Sequence, residues 1–248
     1  MKKVLRFALI LMSVVFLQTP QAYAQVELDI ETGAVFSGYN DVRIPGDDGT
    51  LFSLSEDLEA DPGFFYRIRI LYSFDDHHHL SILYAPLSIK SSGRLNRDLL
   101  FKDDLFPADT PLETTYKFNS YRLTYRYDFL RNDKIEIGAG FTAKIRDAKI
   151  AVKGNGLLSE KTNVGFVPII HFRLLWKFSE DFSLLVDGDA LAAPQGRAED
   201  VLAALLFKAS DTIDLKAGYR ILEGGADNDT VYNFTLINYA SIGALFHL

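Results

Sequence analysis

From residue 26 onward, apolar side chains return at every second position, and helical spacings of three or four hardly occur. Neighbours in an extended strand point to opposite faces, so this period predicts strands with one apolar and one polar face. Ten segments carry it. In the first, Val26 to about Tyr39, Val26, Leu28, Ile30, Ala34 and Phe36 oppose Glu27, Asp29 and Glu31. The second, about 63 to 74, sets Phe64, Tyr66, Ile68, Ile70, Tyr72 and Phe74 against Arg67, Arg69 and Ser73. The third, about 80 to 92, is less regular and contains Pro86. The fourth ends with Tyr121, Leu123, Tyr125, Tyr127 and Phe129 opposite Arg122, Thr124, Arg126 and Asp128. In the fifth, Ile135 to Ile145 alternate with Glu136, Thr142, Lys144 and Arg146. The sixth, about 161 to 178, turns His171, Arg173 and Lys177 away from its apolar face and holds Pro168. The seventh, about 182 to 192, places Asp187 and Asp189 on its polar face; an Ala-Leu run blurs the eighth, about 200 to 208. The ninth, about 212 to 222, carries Asp214, Lys216 and Arg220, and the tenth runs from about Thr230 to the C-terminus.

The connectors alternate in length. Those at Asp75–His79, Leu130–Asp133, Ser179–Asp181 and Ala209–Asp211 are tight. Those at 40–62 and 93–114 are long, with shorter ones expected at 154–160, 193–199 and 223–229. Short turns on one side and longer loops on the other, with an even strand count, predict a closed antiparallel barrel of ten strands. Aromatics decide which face is outside. Tyr72, Phe74, Tyr127, Phe129, Trp176, Phe178, Phe182 and Phe246 fall at the short-turn ends on the apolar face. Rings collected at one height form a girdle at a membrane–water boundary, whereas a soluble core has no reason to gather them there. Closure also satisfies every backbone group that a bilayer would leave without a partner.

The C-terminus reads Ser-Ile-Gly-Ala-Leu-Phe-His-Leu. Ser241, Gly243, Phe246 and Leu248 resemble the insertion signal of bacterial outer-membrane β-barrel proteins, although those chains more often end in Phe or Trp. The resemblance implies outer-membrane lipid and lipopolysaccharide as surroundings, and the barrel insertion machinery as a partner. The N-terminus agrees. Lys2, Lys3 and Arg6 precede the apolar run Phe7–Leu17, and Ala22-Tyr23-Ala24 offers a cleavage site before Gln25. Residues 1–24 therefore form an expected signal peptide, and 25–248 the barrel.

The leader carries three bases and no acid, so the mature charge is more negative than the whole chain's −7, which argues against nucleic acid as a partner. Cysteine is absent, which removes disulfides and thiol chemistry.

The polar face predicts a lumen charge network of Arg67, Arg69, Arg126, Glu136, His171, Arg173, Asp187, Asp189 and Arg220. Counting back from the turn near Glu180 sets His171 beside Asp189 and Arg173 beside Asp187; the same count sets Arg126 and Asp128 near Glu136. Ten strands lie near the closed end of barrel sizes. The leading expectation is thus a narrow pore for a small solute, or a passive envelope component, with no cofactor and no enzymatic role. One alternative is a surface binding or adhesion module that uses loops 40–62 and 93–114. Another is a hydrolase built on His171 and Asp189; omptin proteases, ten-stranded barrels, use Asp and His pairs to activate water, but at the extracellular rim, whereas His171 lies well inside its strand and no second acidic pair stands at the rim. Ser183 lies too near the turn end to serve His171 as a nucleophile. His77-His78-His79 reads as a solvated turn, with no metal expected, and the acidic loop pairs lack the spacing of a calcium loop.

Overall fold

A computed structural model of the chain describes residues 25–194 and 196–248, so the expected leader lies outside the described residues. Ten long strands close into one antiparallel ring. They are β1 (Gln25–Arg43), β2 (Gly63–Ser73), β3 (His78–Ala85, continued by Ser88–Gly93), β4 (Leu112–Arg131) and β5 (Ile135–Gly154). The ring continues through β6 (Leu157–Lys177), β7 (Phe182–Ala193), β8 (Gly196–Lys208), β9 (Ile213–Asn228) and β10 (Val231–His247). Each strand pairs with its chain neighbours, and β1 closes the ring on β10, from Glu27↔His247 to Arg43↔Tyr232.

The apolar stripe points outward. Phe64, Phe141, Phe166 and Ile242 are each more than half exposed, while Arg67, Arg122, Asp187 and Arg220 are buried inside. All of the expected girdle rings lie on the outer face at the turn end, where Trp176, Phe178, Phe182 and Phe207 form a run of ring contacts.

Pro86 falls in the break within β3, which β4 bridges by pairing with both pieces. Pro168 sits inside β6, opposite Ala143. In β1, Gly33 takes φ +144°, and a Cβ there would stand 2.0 Å from the Ala240 carbonyl oxygen. The β1–β10 seam therefore requires glycine at this position.

Three of the expected loops are much shorter than the sequence reading has them. β5 and β6 turn through Asn155 and Gly156, both at positive φ, a hairpin geometry that Asn-Gly favours. The strands on either side of residues 194–195 and 229–230 likewise run almost to the turn. Only 44–62 and 94–111 are long, and they are folded rather than extended into solvent. Val42, Ile44, Phe52, Leu54, Leu58, Leu95, Leu99, Phe101 and Phe106 pack with Leu112, Tyr116, Ile150 and Val152 into an apolar cluster. A short hairpin, Leu99–Phe101 with Asp104–Phe106, stiffens it. The result is a lid at the loop end.

The interior is less uniformly polar than the alternation implies. Leu175, Leu185, Leu202, Ala204, Leu206 and Leu245 make an apolar patch at the turn end. Val35, Phe65, Leu87, Ile89, Leu222, Ile237 and Tyr239 make an apolar collar further up. Charges occupy the layer between.

Candidate functional site: lumen and vestibule

Inward alternation on each strand delivers one or two charged side chains to the middle layer, and closure brings them together. Asp200 of β8 takes Arg220 from the adjacent β9 at 2.5 Å, and from across the lumen Arg67 of β2 at 3.0 Å and Arg122 of β4. Glu31 accepts from Arg220 at 2.8 Å and from Lys216 at 3.3 Å. Asp189 accepts from Arg122 at 2.5 Å on one oxygen, and from Thr142 at 2.6 Å on the other, with His171 Nδ1 at 3.2 Å. Asp187 holds Arg69 at 2.9 Å and lies 3.6 Å from Arg173. Several of these pairs span opposite walls, so the network bars the bore as a grating. The cavity bounded by Arg67, Arg122, Asp200 and the collar has about 10 Å³, at most the space of one water.

Every residue of the expected charge network faces this interior, with altered partners for some. His171 and Arg173 stand opposite Asp189 and Asp187 in the β6–β7 register. Glu136 does not meet Arg126 or Asp128. The ladder sets Gly138, not Glu136, opposite Asp128, and an extra residue in β4, Phe129, shifts the register once more, so Glu136 faces Arg131 and bonds Lys177 at 2.7 Å. Arg126 turns instead to Asp128 on its own strand at 2.7 Å. The histidine run is not a freely solvated turn. His77 bonds the Asp128 carbonyl at 2.6 Å and His78 the Tyr125 hydroxyl at 2.7 Å. His79 is buried, with Nδ1 2.8 Å from Ser73 Oγ and Nε2 2.9 Å from Asp128 Oδ2. Asp200, the acceptor for three guanidiniums, was missed because the Ala-Leu run of β8 hides its alternation.

The C-terminal motif is the closing strand itself. Ser241 is buried inward, Phe246 faces out, and the Leu248 amide reaches the Val26 carbonyl at 2.8 Å. At Gly243 a Cβ would lie 2.2 Å from the Ile30 carbonyl oxygen.

No protein-family model matches the chain. No curated protein matches it significantly either. Among solved structures, it superimposes on the outer membrane protease OmpT from Escherichia coli with a TM-score of 0.56 and 9% identity, covering 93% of this chain and 99% of that one. The chain has the fold of a bacterial outer-membrane β-barrel. Ail of Yersinia pestis, an attachment invasion locus protein, aligns over 90% of this barrel and 99% of its own chain, with a TM-score of 0.39 and 11% identity. At these identities the likeness concerns the fold alone. In that fold the short turns face the periplasm and the long loops the cell exterior.

Above the grating and under the lid, the barrel holds a vestibule of about 580 Å³. Lys144, Arg146 and Lys161 line it, while its one carboxylate, Glu223, is held by Arg197 and Tyr39. Lys144 is 3% exposed and makes no ion pair among the described residues; its nearest partner is the Phe118 ring, 4.8 Å from Nζ. Arg146 reaches Asn163, and its buried Nε has no partner.

The lid is clamped by Arg97 on Asp57 at 2.8 Å, with the Ser53 amide donating to the same carboxylate at 2.9 Å. Burial raises the Asp57 carboxyl, but the bonds from Arg97 and Ser53 outweigh it and hold the group below its ordinary 3.8. A depressed carboxyl stabilises above its unfolded value, and the contribution fades as pH falls through the folded one. Protease cleavage within 44–62 should therefore rise below about pH 4, and Asp57→Asn should raise it already at neutral pH. Equal cleavage of both forms at every pH would remove the clamp.

Proposed function

We propose that this outer-membrane barrel is a closed binding component of the envelope, one that receives a small anionic ligand in its vestibule and does not conduct. The grating carries this reading: ion pairs such as Arg67–Asp200 and Arg69–Asp187 join strands across the lumen, and the cavity that Arg67, Arg122 and Asp200 bound with the collar has about 10 Å³. A solute path would need many such pairs to break together, each leaving a buried charge uncompensated. The vestibule above lies within the usual size of ligand pockets.

The same geometry favours binding over catalysis. Both oxygens of Asp189 are engaged, Oδ2 by Arg122 and Oδ1 by Thr142 and His171, and the pair is buried, so the carboxylate is held as part of the ion-pair network rather than presented to a substrate. The loops act as a lid rather than as an open adhesive surface, since most of their large apolar side chains are buried, with Leu51 and Leu105 the exposed ones among the described residues.

Planar-bilayer recording of the folded barrel tests the reading. Silence is expected, with discrete steps appearing in a variant that deletes both Asp200 and Asp187. Steady conductance from the unaltered protein would replace this proposal with a narrow pore.

A further inference from the structure

The barrel wall is incomplete on one side. β6 pairs with β5 along its whole length, from Leu157↔Gly154 to Trp176↔Ile135. Its pairing with β7 runs only from Ile170↔Ala190 to Lys177↔Ser183. Residues 157–169 therefore have no ladder partner on the β7 side among the described residues, and β7 itself ends at Ala193. Pro168, which donates no backbone hydrogen bond, stands where the pairing stops. The two lips, Phe166 with Pro168 and Leu191 with Ala193, line the same vestibule as Lys144 and Arg146, so cavity and gap are continuous.

The level of the gap matters. From the turn-end ring of Trp176 to Phe166 is ten strand residues, about 25 Å along the axis at a rise of about 3.3 Å and a tilt of about 40°. That is the height of the apolar band, so the gap, which begins where the pairing ends at Ile170, reaches the outer boundary of the hydrocarbon at Phe166. Its lips are apolar, with Phe166 64% exposed, while behind them stand Lys144 and Arg146, neither at ion-pair distance from a carboxylate among the described residues. A buried cation without a counter-charge is costly, and an anion beside it removes that cost. The lid and its core cover the opposite approach, from the cell exterior.

We propose that the gap between β6 and β7 admits a single-chain amphiphile from the outer leaflet, with an anionic head, carboxylate or phosphate, on Lys144 and Arg146 and its tail lying between the lips. This rests on the closed-vestibule reading and adds the ligand class and the route. Both ends of such a molecule match what the site offers. The head meets two unpaired cations, and the tail stays at the depth of the acyl chains. A soluble anion would gain only the first, and a neutral lipid only the second.

The test uses the full barrel in phosphatidylcholine bilayers and a hexadecanoate probe with a photoreactive diazirine in its tail. Irradiation should place adducts on residues 164–168 and 190–193. Unlabelled hexadecanoate and hexadecyl phosphate should compete, and the stronger of the two identifies the head. Hexadecanol should not compete. Lys144→Gln with Arg146→Gln should lower labelling at least tenfold, with folding checked by heat-modifiable migration on a gel. Adducts confined to the lid, labelling spread evenly around the belt, or labelling indifferent to the double variant would each overturn the proposal. Competition by inorganic phosphate as strong as that by hexadecanoate would overturn the amphiphile while leaving the anion-binding vestibule in place. A conducting barrel would instead sink the underlying reading.

Discussion

Asp200→Ala should destabilise the barrel by about 3–5 kcal/mol, the usual cost of removing one partner from a buried ion pair. Asp200 is 2% exposed and accepts from Arg67, Arg122 and Arg220. The carboxylate is the hub at which walls β2, β4 and β9 meet β8. Its loss leaves three guanidiniums facing one another in a space that admits hardly any water. Arg122 retains Asp189 and Arg220 retains Glu31, but Arg67 keeps no other carboxylate at ion-pair distance among the described residues. Adding Arg67→Leu to Asp200→Ala should therefore recover part of the loss, a non-additivity expected of residues in one network. Urea unfolding in lipid vesicles measures both. A loss under about 1 kcal/mol, the scale of an exposed pair, would mean that the grating is solvated and that the lumen is wetter than its geometry implies.

The second large effect belongs to the lid. Phe101 is fully buried, with its ring edge-on to Phe52 at 6.3 Å between centroids. Phe101→Ala should cost about 3–5 kcal/mol locally, from lost transfer energy and the cavity left behind. Because the lid packs on strand ends that extend above the membrane, the cost falls on lid opening and leaves the transmembrane ring intact. At tenfold per 1.4 kcal/mol, the open-lid population should rise roughly a hundredfold or more. Limited proteolysis reads this directly: cleavage within 44–62 and 94–111 should accelerate, while the folded gel mobility of the barrel stays unchanged. If the barrel unfolded together with the lid, the two would be one cooperative unit and the lid could not act as a separate cover.

The two predictions probe different halves of the same design. The grating closes the lumen from below and the lid covers it from above. The vestibule between them keeps one side open, where β6 outruns β7. Conductance, proteolysis and photolabelling therefore report on independent parts of the molecule.

Much of the fold was legible in the chain because its signals are local. Alternation in β5 set Thr142 and Lys144 inward and Phe141 and Ile145 outward before any partner was known. Counting from one tight turn placed His171 opposite Asp189, since a hairpin's register follows from its turn. The same arithmetic failed for Glu136, because the turn falls at Asp133-Lys134, beyond the centre that the count assumes, and the bulge at Ile137/Gly138 leaves no clear mark on the alternation. Asn155-Gly156 is a hairpin signal legible in the sequence, and it closes β5 onto β6 in a two-residue turn where the alternation alone predicts a longer loop.

The sequence by itself determined the period-two strands, their lipid-facing side, the aromatic girdle and the closing C-terminal strand. Each of these follows from neighbours a few residues apart. Only the tertiary structure decided that Arg67 meets Asp200, 133 positions away, that the long loops fold inward on one another, and that the wall stops short between β6 and β7. Those features depend on how far each strand is staggered against the next around a closed ring. That stagger is set by all ten seams together, so no stretch of the chain contains it alone.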